Sequence, residues 1–159
     1  MTNEMPDNQA EHTLRTREAY DRLAAVWSST TDEGPFNGFL ERPALRALVP
    51  GDLHGATVLD AGCGSGAQAQ WLLEQGADIV AVDISPRMIE EAERRCAGRG
   101  RFLVADLARP LPLEPGSLDG ITCRADHSTC SSETICLVRE CTPQIVSDLA
   151  IGHATLSGK

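Results

Sequence analysis

The stretch Val58-Leu-Asp-Ala-Gly-Cys-Gly-Ser-Gly66 decides the fold that this sequence predicts. It begins with apolar residues that end at Asp60, which is typical of a short buried strand. The three glycines that follow predict a tight turn, and Ala67 to Gln75 predicts a helix. Since such a turn lets a ligand approach the backbone closely, it is the first candidate binding site.

The rest of the middle region repeats this alternation of strand and helix. Three more strands are predicted at residues 77–82, 101–105 and 118–123. After the first of them, Ser85 and Pro86 are typical of the N-cap and first residue of a helix. Alternating strands and helices predict an α/β fold, a doubly wound parallel sheet with helices on both faces.

An aspartate ends each of the first three predicted strands: Asp60, Asp83 and Asp106. Ligands of doubly wound sheets bind at the carboxyl ends of the strands, so these side chains mark the candidate site. Asp83 is placed to accept hydrogen bonds from both hydroxyls of a ribose. Asp106 and Leu107 could receive an adenine amino group and one face of its ring.

Three motifs together resemble the class I S-adenosylmethionine-dependent methyltransferases. They are Val58-Leu-Asp-Ala-Gly-Cys-Gly-Ser-Gly66, Ala81-Val-Asp-Ile-Ser-Pro-Arg-Met88 and Val104-Ala-Asp-Leu107. The resemblance covers Thr57 to Cys123 closely and the N-terminal helices loosely. It is to the small-molecule type, similar to the quinone-biosynthesis methyltransferases. It implies a Rossmann-like sheet, S-adenosyl-L-methionine as cofactor, and a small-molecule methyl acceptor.

The resemblance also implies roles for the residues of the glycine turn and the second strand. Gly62, Gly64 and Gly66 are expected to cradle the methionine part of the cofactor. Asp60 is expected to support the turn, and Asp83 to hold the ribose. A catalytic residue is not assigned, and no metal ligand is expected.

The remaining roles that the resemblance implies concern the adenine and a lid. Ile84 and Met88 are expected to flank the adenine, and Asp106 with Leu107 to cap it. Tyr20 falls where similar enzymes place a lid residue over the cofactor. The expected cofactor-binding set is therefore Tyr20, Asp60, Ala61, Gly62, Gly64, Gly66, Asp83, Ile84, Met88, Asp106, Leu107 and Cys123.

The glycines alone leave a second function open, an NAD(P)-dependent oxidoreductase. Gly62-x-Gly64-x-x-Ala67 also fits the dinucleotide-binding fingerprint. Asp60 argues against that alternative, because a carboxylate beside the turn opposes a pyrophosphate but tolerates a sulfonium with a free amino group.

Three regions of the chain differ in residue pattern and in predicted structure. We expect a helical N-terminal lid or extension over 1–55, a Rossmann-like cofactor-binding half over 56–123, and a divergent tail over 124–159. In that tail, Ile135 to Val138 could form a strand.

The tail is the reason to ask whether the enzyme is whole. The family's sheet has roughly seven strands on the doubly wound plan, whereas residues 1–123 predict four. We therefore expect a methyltransferase truncated or frame-shifted after about Cys123, with C-terminal strands missing. Translating the gene in the other two frames past that codon tests the frameshift, which fails if no strand–helix pattern resumes. A further alternative is a non-catalytic cofactor-binding fragment or an inactive remnant.

Composition indicates which substrates and which cellular compartment to expect. The 159 residues carry a net charge of −9, which disfavours nucleic acid as substrate. Neither a membrane-spanning run nor a secretory signal is recognisable, so we expect a cytoplasmic protein. The six cysteines are irregularly spaced, which favours reduced thiols over a zinc site.

His127 lies in the vicinity of the acceptor side, but a lone histidine in a polar tail is more often simply solvated. The oligomeric state is left open.

Overall fold

Strands and helices alternate along the chain in the computed structural model. It describes residues 8–26, 42–47, 51–107, 109–114, 116–123 and 134–136, together with Gly34 and Val49. The helices are α1 (Asn8–Val26), α2 (Arg42–Ala47), α3 (Ala67–Glu74) and α4 (Pro86–Arg95). The strands are β1 (Thr57–Ala61), β2 (Asp78–Asp83), β3 (Arg101–Val104), β4 (Gly120–Cys123) and β5 (Thr134–Cys136).

The five strands form one sheet in the order β3-β2-β1-β4-β5. β1 lies at its centre, and Leu59 pairs with Val80 of β2 on one side and with Ile121 of β4 on the other. The pairs among the first four strands are parallel, which confirms the predicted doubly wound α/β fold. β5 pairs antiparallel with β4 and overlaps the strand predicted at Ile135 to Val138.

Both faces of the sheet are buried, as the β-branched and apolar strand residues require. Side chains alternate along each strand, so Val58 and Ile79 face one core while Leu59 and Val80 face the other. The first core contains Ala69 and Leu72 of α3, Ile89 and Ala92 of α4, and Cys96 at the C-terminal end of α4. The second is closed in part by Leu111 and Leu118 from the segment between β3 and β4.

The start of α4 follows the predicted cap. Ser85 has an extended backbone, and its Oγ accepts a hydrogen bond of 3.1 Å from the backbone N–H of Met88. Pro86 occupies the first turn, where its missing N–H removes a donor that would have no helical partner. The cap therefore fixes where β2 ends and α4 begins, which is the edge of the candidate site.

Candidate functional site

The glycine turn after β1 is fastened to the end of β2. The backbone N–H groups of Gly62 and Cys63 both donate to the carbonyl of Val82, at 2.8 and 2.9 Å. The N–H of Gly66 then donates to the carbonyl of Cys63 at 3.0 Å, which closes the turn before α3. These bonds hold the turn at the carboxyl edge of the sheet.

All three glycines of this turn have left-handed backbones, and the space around Gly64 and Gly66 differs. At Gly66, where φ is +82°, a Cβ would lie 2.8 Å from Cα of Ala92, so the missing side chain lets the turn pack on α4. At Gly64, where φ is +51°, a Cβ would meet nothing within 4 Å. The backbone at Gly64 therefore faces open space, which is the condition for close approach of a ligand.

Asp83 ends β2 beside this open position. Its Oδ2 accepts a hydrogen bond of 2.9 Å from the N–H of Gly64, and its Oδ1 accepts one of 2.9 Å from the N–H of Ser85. Burial raises the pKa of Asp83 above its ordinary value, and the hydrogen bonds from Ser85, Gly64 and Ile84 partly offset that shift. A carboxylate has about four acceptor sites, so its capacity is not exhausted by these bonds.

Asp60 lies within the sheet, one residue earlier than the strand end. It is 1% exposed, and its Oδ1 accepts a 3.1 Å hydrogen bond from the hydroxyl of Thr122 on β4. The alternation of β1 turns Asp60 away from Leu59 and into the protein. Its position fits the expected role of supporting the turn, and no surface is available for direct ligand contact.

Cys63, in the middle of the turn, is a neutral thiol. Burial raises its pKa well above the ordinary range, and the nearby carboxylates of Asp60 and Asp83 raise it further. The thiolate is the reactive form of cysteine, so Cys63 is unsuited to act as a nucleophile. Asp60 and Asp83 are the carboxylates near this thiol.

The residues expected around an adenine are divided between surface and core. Ile84, Asp106 and Leu107 are partly exposed near the ends of β2 and β3. Asp106 lies 3.8 Å from Nε of Arg109, and Leu107 packs against the second core. Met88 is 1% exposed and lies in the core, and its expected contact with an adenine stays a prediction.

The other expected members of the set line the end of the central strands or lie on α1. Ala61 is buried as the last residue of β1, and Cys123 is partly exposed as the last residue of β4. These two residues pair in the sheet register. Tyr20 is partly buried on α1. His127 lies outside the described residues.

Sequence reasoning missed two residues that support this site. Asp21 on α1 accepts a hydrogen bond of 2.5 Å from the Ser85 hydroxyl, across 64 positions of sequence. Thr122 meets Asp60 across 62 positions. No local pattern signals either contact. In the described part of the chain, no three His, Cys, Asp or Glu side chains come together as a metal site would require.

Comparison with protein families assigns residues 58–143 to the family described as a methyltransferase domain. These residues are more than half of the chain and continue past Cys123. The described helices include none that is long and apolar enough to cross a membrane.

Curated relatives match parts of the chain. Magnesium-protoporphyrin O-methyltransferase of Rhodobacter capsulatus is 37% identical over 121 residues, which are 67% of this chain and 54% of that protein. Demethylmenaquinone methyltransferase of Clavibacter sepedonicus is 37% identical over 107 residues, 65% of this chain and 40% of that protein. The 18S rRNA (guanine-N(7))-methyltransferase of Mus musculus is 41% identical over 77 residues, 48% of this chain and 27% of that protein. The chain thus spans about half the length of the first relative and less of the other two.

Among solved structures, a DhpI–SAH complex superposes with a TM-score of 0.58. The match has 24% sequence identity and covers 70% of this chain and 52% of that one. At this identity the likeness shows the fold alone.

Proposed function

The chain belongs to the methyltransferase-domain family, and we propose that it binds S-adenosyl-L-methionine at the glycine turn and transfers the methyl group to a small molecule. The observation that carries the proposal is the pairing of Asp83 with Gly64. A carboxylate that keeps about one further acceptor site lies beside a backbone position that opens to space. This arrangement suits a ligand that brings a ribose diol to the end of β2.

The charge at the turn favours a cationic ligand over a pyrophosphate. Asp60 and Asp83 both lie close enough to Cys63 to raise the pKa of its thiol. Two phosphate charges placed at the same turn would be repelled by these carboxylates, whereas a sulfonium and an ammonium group would be attracted. This electrostatic argument supports S-adenosylmethionine over NAD(P) as the cofactor.

The proposed positions follow the order of the elements. The glycine turn, Gly62 to Gly66, receives the methionine part, with Ala61 and Asp60 supporting it from β1. Asp83 holds the ribose. The partly exposed residues Ile84, Asp106 and Leu107 border the adenine, and Cys123 lies at the end of the neighbouring strand.

In the proposed domain plan, two of the three regions have a role in cofactor binding. Residues 56–123 hold the cofactor, and residues 1–55 cover it, with Tyr20 of α1 as the lid residue. Residues 124–159 are the third region, which begins after β4.

Binding and orientation are what the described residues contribute to the reaction. The bound sulfonium supplies an activated methyl group, which an acceptor nucleophile takes by in-line displacement. Asp83 and the turn fix the donor end, so the methyl carbon is presented in one direction. Exclusion of water by the covering N-terminal region keeps the site dry. An oxygen or acidic carbon acceptor additionally needs a base to take its proton.

A small-molecule acceptor in the cytoplasm completes the proposal. The net charge of −9 opposes an RNA backbone. The magnesium-protoporphyrin relative aligns over 67% of this chain, whereas the rRNA relative aligns over 48%. Cys63, Cys96 and Cys123 are free thiols, as is usual in a reducing compartment.

Titration calorimetry tests the cofactor. S-adenosylhomocysteine is expected to bind the wild-type chain, and NAD is expected to give no heat. Asp83→Ala should weaken S-adenosylhomocysteine binding by at least about tenfold, because a charged acceptor is lost. Asp78→Ala is the matched control, since Asp78 is exposed at the other end of the same strand. Binding of NAD in place of S-adenosylhomocysteine would overturn the cofactor proposal.

A second assay separates transfer from binding. S-adenosylhomocysteine release is measured with S-adenosylmethionine and three acceptors taken from the relatives' names: magnesium protoporphyrin, demethylmenaquinone and an 18S rRNA fragment. Release with a small acceptor supports the proposal, and release with the RNA alone contradicts it. If the chain binds S-adenosylhomocysteine but releases none of it with any of the three acceptors, the result favours a non-catalytic cofactor-binding fragment.

A further inference from the structure

Asp21 of α1 is joined to Asp83 through a single residue, Ser85. The Ser85 hydroxyl donates to Oδ1 of Asp21 at 2.5 Å, while its backbone N–H donates to Oδ1 of Asp83 at 2.9 Å. Ser85 is fully buried, whereas the Asp21 side chain that accepts from it is partly exposed. One residue therefore ties an aspartate of the N-terminal helix to the aspartate of the candidate site.

The bond from Ser85 to Asp21 also determines the geometry of the cap. A hydroxyl has one proton and two lone pairs. Because the Ser85 proton points to Asp21, a lone pair is left to accept the N–H of Met88 at 3.1 Å. Oδ1 of Asp21 lies 3.4 Å from the N–H of Arg87 as well, and a negative charge at this helix N-terminus is favourable.

We propose that Asp21 is a positioning residue for the candidate site. It fixes the β2–α4 turn that presents Asp83, and it couples the docking of α1 to ligand binding at that turn. The inference rests on the proposed function, since Asp83 must hold the ligand for Asp21 to matter. Coupling is reciprocal: if docked α1 strengthens binding, bound ligand stabilises docked α1.

Electrostatics gives Asp21 a second effect on Asp83. Burial is the main cause that raises the pKa of Asp83, and the charge of Asp21 adds to it. Arg17 lies 4.0 Å from Asp21, and both side chains are partly solvated, so this pair screens the charge weakly. From the sheet side, Asp60 and Cys63 face the same turn. Asp21→Asn keeps an acceptor for Ser85 and removes one of these charges.

The experiment compares Asp21→Ala, Asp21→Asn and the wild-type chain by calorimetry with S-adenosylhomocysteine between pH 4 and 8. The matched control is Glu11→Gln, which removes a charge from the exposed Glu11–Arg15 pair on the same helix. At pH 7.5, Asp21→Ala should weaken binding about tenfold, because the turn and α1 lose their link. Asp21→Asn should weaken it less, and Glu11→Gln should leave it unchanged.

Two readouts distinguish positioning from a merely structural role. The ratio of the Kd of Asp21→Asn to that of the wild type should fall as the pH is lowered, because the variant keeps Asp83 ionised to lower pH. Hydrogen exchange in α1 should slow on ligand binding in the wild type and not in Asp21→Ala. If Asp21→Ala does not fold, the pH dependence of Asp21→Asn decides.

The outcomes separate this inference from the proposed function. A wild-type chain that does not bind S-adenosylhomocysteine overturns both. The role of Asp21 alone is overturned by a different result. In that case the wild-type chain binds, the ratio of the two Kd values does not depend on pH, and ligand binding slows hydrogen exchange in α1 of Asp21→Ala as much as in the wild type.

Discussion

The backbone N–H of Gly64 donates a 2.9 Å hydrogen bond to Oδ2 of Asp83. The bond joins the turn after β1 to the last residue of β2, so neither can move without the other. A Cβ at Gly64 would meet nothing within 4 Å, and burial raises the pKa of the Asp83 carboxyl. The candidate site is therefore one connected unit, built across two adjacent parallel strands.

Gly64 and Gly66, two of the three left-handed glycines of this turn, are expected to respond differently to alanine. Gly66→Ala puts a Cβ 2.8 Å from Cα of Ala92 in addition to the strain of φ +82°, and should lower the free energy of unfolding by about 2–4 kcal/mol. Gly64→Ala meets no neighbour and should cost about 1–2 kcal/mol. Its methyl group projects into open space, so its larger effect should be weaker binding of S-adenosylhomocysteine.

Urea denaturation and calorimetry on the same two variants check this contrast. Gly51→Ala is a suitable control, because a Cβ there also meets nothing within 4 Å and the residue lies outside the turn. Equal losses of stability in Gly64→Ala and Gly66→Ala would contradict the assignment of Gly66 to packing.

Asp83 predicts a pH dependence of stability. Its folded-state pKa is raised from the ordinary value of 3.8, chiefly by burial, so the folded state holds the proton more tightly than the unfolded chain. The stability from this group is complete below pH 3.8 and is lost as the pH rises through the folded-state pKa. The free energy of unfolding of the wild type, relative to Asp83→Asn, should therefore increase as the pH is lowered from 7.

Urea denaturation of both proteins from pH 4.5 to 7.5 measures this difference. The control is Asp78→Asn, at an exposed position of the same strand. The difference in the free energy of unfolding between the wild type and Asp78→Asn should not increase as the pH is lowered. A wild-type advantage that shrinks on acidification would mean that the pKa of Asp83 is lowered instead.

Two buried thiols are expected to resist alkylation. Burial raises the pKa of Cys63 well above its ordinary value and also raises that of Cys96. Both therefore remain protonated at neutral pH and react with maleimide only when the structure opens. Cys123 is partly exposed and should be modified first of the three. Peptide mass mapping after timed labelling at pH 7.5 gives the order, and rapid labelling of Cys63 in the native state would show that it is accessible.

Sequence predicted the parts of the site that have local signals. The glycine turn and the Ser85–Pro86 start of α4 depend on neighbours within a few positions, and the structure places them as expected. Asp60 was expected to end its strand, but β1 continues to Ala61 and buries Asp60. The burial of Met88 had no local signal, since a motif position alone does not say which side of α4 faces the core. Its burial follows from the packing of α4 on the sheet.

The contacts that support the site from a distance had no such signal. Asp21 reaches Ser85, and Thr122 reaches Asp60, only because α1 packs on α4 and β4 pairs with β1. The sequence shows Asp21 as one more charge on a solvated helix. Pairing of that kind is decided by tertiary structure, so it follows from the fold and not from spacing.

Thr122 supplies the last prediction, because it donates to a carboxylate that is 1% exposed. Thr122→Val keeps the shape and removes the 3.1 Å hydrogen bond to Asp60, so the free energy of unfolding should fall by about 1–3 kcal/mol. Thr122→Ser restores the hydroxyl and should recover most of that loss. Thr57→Val, at the start of β1, should change stability little. Urea denaturation of the three variants measures the effect, and equal stability of Thr122→Val and Thr122→Ser would show that the hydroxyl does not stabilise Asp60.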